Sequence, residues 1–152
     1  MVRMTEEDSP RRHGDTEMII RSDLTEDIIK GAIDVHRALG PGLLESVYEE
    51  CLAIEFQLRG LQFERQQSLA IQYKGRRVAG ELRVDLCVER QVIVELKAVE
   101  TLLPVHEAQL LTYLRLSNMR FGLLINFNVP RLKDGLKRIV NGFDSVAPCL
   151  RG

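Results

Sequence analysis

Asp85, Glu95 and Lys97 bring two carboxylates and an ammonium onto what reads as a single pair of strands, a set able to hold a divalent cation beside a hydrolytic water. Val84-Asp85-Leu86-Cys87-Val88 and Val92-Ile93-Val94-Glu95-Leu96-Lys97 are β-branched, alternating runs separated by Glu89-Arg90-Gln91. They predict a hairpin with a short polar loop. A turn centred on Arg90 sets Val84 opposite Leu96, Leu86 opposite Val94 and Val88 opposite Val92, so every pair on that face is apolar. The same register sets Asp85 opposite Glu95, Arg83 opposite Lys97 and Cys87 opposite Ile93 on the other face. Opposed Cβ atoms lie about 4.5–5.5 Å apart. Two carboxylates that close repel unless one is protonated or a cation lies between them. Oxygen donors suit hard Mg²⁺, Mn²⁺ or Ca²⁺, and Mg²⁺ leaves most of its positions to water and phosphate, an arrangement made for phosphoryl transfer. Lys97, on the face of Glu95, would then steady an attacking water or an oxyanion. A solvated sheet face with cross-strand ion pairs is the competing reading.

Two helices offer further polar groups. In a helix expected from about Leu43 to Leu58, the spacing predicts a buried stripe of Leu44, Val47, Cys51, Ile54 and Leu58 and a wet side of Ser46, Glu50, Ala53 and Gln57. Glu45 falls inside the apolar arc and Glu49 at its edge. A carboxylate there needs a metal or hydrogen-bond donors. The alternative is that Glu45, near the helix start, meets the helix dipole and its free N–H groups. His106, Gln109 and Tyr113 stand at i, i+3 and i+7 of a later helix, on a different side from Ala108, Leu111 and Leu114. Such a line suits phosphate or water positioning beside a metal; by itself it is more often an ordinary partly exposed helix face.

The elements that must position these groups follow from periodicity and punctuation. Thr25 or Asp23 caps a first helix reaching about Leu39, with Ile28, Ile29, Ala32, Val35 and Leu39 as its apolar stripe, and Gly40-Pro41-Gly42 ends it. Gly60 stops the second helix. A strand follows from about Phe63 to Tyr73, and Lys74-Gly75-Arg76-Arg77 turns the chain into the strand containing Asp85. Pro104 opens the helix that runs to about Leu116, a strand spans about Arg120 to Phe127, and Pro130 starts a closing helix carrying Leu132, Leu136, Ile139 and Val140. The class is α/β: an antiparallel three-strand meander, then a right-handed crossover helix to a parallel fourth strand, giving a mixed sheet. Val84, Leu86, Val88, Val92, Val94 and Leu96 would pack under one set of helices, leaving the face of Asp85, Glu95 and Lys97 to the helix bearing Glu45.

Length and charge limit the alternatives. A chain of 152 residues with 45% hydrophobic content carries one domain, read here as 23–145, behind a flexible tail at 1–22 that lacks apolar periodicity. No stretch resembles a membrane helix or a signal sequence, which points to the cytoplasm. Cys51, Cys87 and Cys149 lack metal-ligand spacing, as do His13, His36 and His106, so zinc and a disulfide framework are both disfavoured. Overall the chain carries a charge of -1, but residues 1–27 hold eight acids and four basic residues, leaving +3 on the remainder. Between residues 115 and 138, Arg115, Arg120, Arg131, Lys133, Lys137 and Arg138 stand against Asp134 alone, which permits phosphate contacts.

Gly42-Leu43-Leu44-Glu45-Ser46-Val47-Tyr48 resembles the defining motif of the GxxExxY protein family, and Asp85 with Glu95-Leu96-Lys97 resembles that family's PD-(D/E)xK nuclease core. Gln109-Leu110-Leu111-Thr112-Tyr113 is similar to the Gln-x-x-x-Tyr motif of RecB-like and phage exonuclease-like members. The similarity covers roughly Leu24 to Val140, with Val84 standing where the motif has proline. It implies a restriction-endonuclease-like fold and a metal-dependent nuclease acting on DNA or RNA. By that resemblance Asp85, Glu95, the backbone carbonyl of Leu96 and Glu45 would ligate Mg²⁺ or Mn²⁺. Lys97 would orient the hydrolytic water, Gln109 and Tyr113 would steady the site or the phosphate, His36 would lie behind it, and Tyr48 would pack. A homodimer is compatible with cutting two strands, although no exposed apolar stripe is apparent. The alternative function is a non-catalytic or partner-dependent binding or regulatory module on a nuclease-derived fold, favoured by the modest charge and an aromatic content of 5% that leaves few stacking platforms.

Overall fold

Among the described residues five strands form one mixed sheet: β1 (Phe63–Tyr73), β2 (Arg76–Val88), β3 (Val92–Lys97), β4 (Phe121–Asn126) and β5 (Leu136–Val140), in the order β1-β2-β3-β4-β5. The computed structural model describes the backbone of residues 13–142 and side chains from 23 onward. The meander β1-β2-β3 is antiparallel, β3 and β4 are parallel, and β4 and β5 are antiparallel. Helices α1 (His13–Leu39) and α2 (Glu45–Leu58) precede the sheet, and α3 (Pro104–Ser117) makes the crossover from β3 to β4. This is the α/β architecture with a parallel fourth strand that the sequence predicts.

Each sheet face has its own core. On one, Ile28, Ala32, Tyr48, Leu52 and Phe56 from α1 and α2 cover Leu86, Val94, Leu96 and Ile125. Burying side chains of this size contributes roughly 1.5–3 kcal/mol apiece. On the other, Leu110, Tyr113 and Leu114 of α3 cover Val84, Ile93 and Leu124. Gly122 permits that approach: a Cβ there would stand 3.1 Å from Leu110.

Several expectations are corrected. The first helix is not capped at Asp23 or Thr25 but runs unbroken from His13, since neither residue interrupts a helix and no proline intervenes. The tail expected at 1–22 lies outside the described residues for its first twelve positions, and 13–22 are helical. Helix α2 is rotated: Tyr48, Glu49, Leu52, Ala53 and Phe56 are buried, while Leu44, Ile54 and Leu58 are exposed. An exposed apolar stripe therefore does exist. The closing helix is instead a short 3-10 turn, Leu132–Gly135, followed by β5. Leu136 packs on the α1/α2 side and Ile139 on the α3 side: the three-residue spacing that would share one face of a helix serves opposite faces of a strand. Gly135 makes the junction, because a Cβ at that position would lie 2.2 Å from the Asn126 carbonyl oxygen.

A further correction concerns register. Leu86↔Val94, Cys87↔Ile93 and Val88↔Val92 pair as expected, but the β2–β3 ladder stops there, so Asp85–Glu95, Val84–Leu96 and Arg83–Lys97 do not continue it. The β1–β2 ladder is interrupted at the same level: Arg65 pairs with Leu86 and Gln67 with Val84, with Gln66 at φ 52° between them. Across this break the strands exchange faces. Leu86 joins the α1/α2 core and Val84 the α3 core, contrary to the single apolar face expected. Glu45 accordingly begins a helix packed on the Leu86, Val94 and Leu96 side rather than one laid over the acidic face.

Candidate active site

Where β2 and β3 part, the two carboxylates fill the gap. The Leu96 N–H donates to Asp85 Oδ2 at 2.9 Å, and the Asp85 N–H donates to Glu95 Oε2 at 3.2 Å. Each acid thus satisfies a backbone donor that the interrupted ladder leaves free. Asp85 and Glu95 are brought together as the sequence predicts, although by a reciprocal side-chain bridge and not by simple opposition across a ladder.

Glu95 is buried and Asp85 half-buried. Burial first, and the Asp85 carboxylate second, push the Glu95 pKa up to about 9, against a smaller opposing pull from Lys97. Tyr113 of α3 is buried nearby; burial raises its pKa, and the charges of Glu95 and Asp85 raise it further. Glu45 is exposed as a residue, yet its carboxyl end is enclosed enough for burial to raise its pKa. Lys97 and a hydrogen bond to the Ala98 backbone oppose that rise, while Asp85 and Glu49 add to it. Glu45, Asp85, Glu95, Lys97 and Tyr113 therefore share one electrostatic neighbourhood at the C-terminal end of β3.

The surrounding backbone is pinned. Asn126, buried opposite Lys97 on β4, accepts from the Val99 N–H at 3.0 Å and donates to the Val99 carbonyl at 2.9 Å. This fixes the segment that presents Ala98 to Glu45. At the start of α2, the Tyr48 hydroxyl donates to the Gly40 carbonyl at 2.5 Å and accepts from the Leu43 N–H at 3.2 Å. Its ring stacks on Phe127 at 4.4 Å. Tyr48 thus packs, as expected, and also ties down the loop of Gly40 and Gly42, both at positive φ, that delivers Glu45.

Two contributors escaped the sequence reading. Glu49 is buried, and its carboxylate accepts from Arg65 Nε at 3.0 Å and Gln66 Nε2 at 2.9 Å. Gln66 Nε2 also donates to Asp85 Oδ1 at 3.2 Å, so one amide links an acid on α2 to an acid on β2. The i, i+4 spacing of Glu45 and Glu49 was the available signal; for Gln66 there was none, since its role depends on a left-handed backbone. His36 is buried elsewhere, its Nε2 2.8 Å from the Val129 carbonyl, and supports the loop after β4. His106 Nδ1 accepts from the Leu103 N–H at 3.0 Å and closes the first turn of α3. Gln109 lies one turn before Tyr113, exposed, with no hydrogen bond to the acids among the described residues.

The donor set has the chemistry of a hard-cation site: carboxylates and backbone carbonyls, with no histidine or thiolate ligand group in it. Among the described residues no three His, Cys, Asp or Glu side chains are already arranged around one coordination point. The fit rests on charge. A carboxyl driven toward protonation first by burial and then by a neighbouring carboxylate marks a place where a divalent ion would offset the charge.

Comparison with protein families matches residues 22–139 to the PD-(D/E)XK nuclease superfamily. No curated protein gave a match. Among solved structures, the crystal structure of SSO0001 is similar with a TM-score of 0.51 at 20% identity, covering 70% of this chain. This chain spans 54% of that one. At such identity the likeness speaks to fold, and it agrees with the mixed sheet described above.

Proposed function

The chain belongs to the PD-(D/E)XK nuclease superfamily, matched over residues 22–139, and from that premise we propose that it is a divalent-metal-dependent nuclease hydrolysing phosphodiester bonds of DNA or RNA. Within the superfamily, Gly42, Glu45 and Tyr48 support a place among the GxxExxY proteins. The observation that carries the activity is the reciprocal bridge of Asp85 and Glu95, with Lys97 and Glu45 beside it.

In this reading Asp85, Glu95, the Leu96 carbonyl and Glu45 would hold Mg²⁺ or Mn²⁺. When bound, such an ion stabilises charge on a phosphoryl oxygen and makes water more acidic. Lys97 supplies N–H donors to the attacking water and to the charge that develops on the phosphate. Tyr113 and Gln109 offer a hydroxyl and an amide to orient the phosphate. Gln66 and Glu49 hold Asp85 in position, and Tyr48 holds the loop that carries Glu45.

The test is cleavage of single- and double-stranded DNA and RNA with Mg²⁺ or Mn²⁺, wild type against Lys97→Ala. We expect the variant to lose about 100-fold or more, as removal of a charge-stabilising donor commonly does. Equal rates, or no cleavage of any substrate, would sink the proposal. The alternative, a non-catalytic or partner-dependent module, is favoured by the oxygens of both acids being engaged with backbone donors. Heat of Mn²⁺ binding in wild type, absent from Asp85→Asn, would count against it.

A further inference from the structure

The strand pair that carries Asp85 continues well past the site. Beyond Gln66 and Asp85, β1 and β2 leave β3 behind and run on as a two-stranded ribbon to a Lys74-Gly75 turn, both residues at positive φ as a tight hairpin turn requires. Leu69 and Leu82 pack against the α3 core, but Gln72 through Arg77 are all exposed. A bare two-stranded ribbon is marginal in water, so core packing gives no reason for its length.

Its charge does give one. Residues 67–83 contain Lys74, Arg76, Arg77 and Arg83 and a single acid, Glu81, which sits 3.7 Å from Arg83, in a chain whose overall charge is -1. At the end, Tyr73 is 65% exposed and pairs across the ribbon with Arg76, and Lys74 Nζ lies 5.4 Å from its ring centre. From Asp85 to Arg76 is nine residues, about 30 Å of strand at roughly 3.3 Å each. A duplex rises about 3.4 Å per base pair, so this reach corresponds to about nine base pairs.

We propose that this ribbon is a nucleic-acid-binding arm. Lys74, Arg76 and Arg77 grip the phosphodiester backbone at a distance from the acids, and Tyr73 gives an unpaired base a surface to stack on. The proposal rests on the nuclease reading for the meaning of the acids, and it adds the element that holds the substrate. DNA and RNA share the backbone chemistry the arm would recognise.

The test uses the full-length protein in EDTA, with fluorescence anisotropy of labelled single- and double-stranded DNA and RNA over a range of salt. Combined Lys74→Ala, Arg76→Ala and Arg77→Ala should weaken binding at least about tenfold and reduce the slope of log K against log salt by about two to three, as three lost phosphate contacts require. Tyr73→Ala should weaken single-strand binding and leave duplex binding unchanged. Arg76→Gln alone, read the same way, should lose about one unit of slope and serves if the triple variant fails to fold. Unchanged affinity and slope would overturn the arm, as would absence of wild-type binding to all four probes. Arm-dependent binding without cleavage when metal is added would remove the nuclease reading and leave the arm. Cleavage and binding indifferent to the triple variant would do the reverse.

Discussion

Burial and the neighbouring Asp85 carboxylate oppose ionisation of Glu95. Its pKa of about 9 in the folded chain lies above the ordinary value of 4.5, so between those values the folded state holds a proton that the unfolded state has released. Stability from this group is complete below about pH 4.5 and is lost as pH rises through about 9. Metal-free protein should therefore lose stability on going from pH 6 to 9, by at most about 1.4 kcal/mol per pH unit for one proton. Glu95→Gln should flatten that profile in urea denaturation carried out with EDTA. A wild-type profile already flat over this range would place the carboxyl in wetter surroundings than described. Asp85 and Glu95 were legible because Leu86–Val94 and Val88–Val92 pair as the alternation predicts, which carries both acids to the point where the ladder ends. Glu49 and Gln66 were not, because one depends on the rotation of a helix and the other on a single residue at φ 52°.

At the scale of elements, α2 shows why a stripe alone misleads. Leu44, Val47, Cys51, Ile54 and Leu58 make the longer apolar row, but Tyr48, Leu52 and Phe56 make the one that is buried. Two features select it: the larger aromatic area, and the Tyr48 hydroxyl, which finds partners at Gly40 and Leu43 only when turned inward. The two orientations have opposite consequences. Phe56→Ala should cost about 3–5 kcal/mol and Leu52→Ala about 2–5 kcal/mol, whereas Leu58→Gln, at a position 76% exposed, should stay within about 0.5 kcal/mol. Chemical denaturation of the three variants decides the matter, and a large loss at Leu58 would restore the face that the longer row suggests. The same ambiguity governs β5, where apolar spacing alone fits a helix. The open edge of β4 settles it, since an uncovered buried strand would leave its N–H and C=O groups without partners.

For the molecule as a whole, the proposed domain is 23–145, and the described contacts close on themselves within it. At the front, Leu24 is the first of the described side chains to join the α1/α2 core, followed by Ile28, Ile29 and Ala32. At the back, Asn141 closes the sheet: its N–H donates to the Arg120 carbonyl at 2.7 Å and its Nδ2 to the Met119 carbonyl at 3.1 Å. Arg138 reaches from β5 to Glu26 of α1 at 2.7 Å, so the last strand and the first helix already touch inside these limits. Helix α1 nevertheless begins ten residues before Asp23, at His13. A helix gains most of its stability from the face it packs, and the core and sheet contacts named above all lie within 23–145. A chain trimmed to 23–145 should therefore unfold in one cooperative calorimetric transition, with its midpoint within about 4 °C of the full chain, the shift expected for less than about 1 kcal/mol in a domain this size. A lost transition or a much larger drop would show that residues 13–22 pack onto the core and would move the domain boundary to the start of α1.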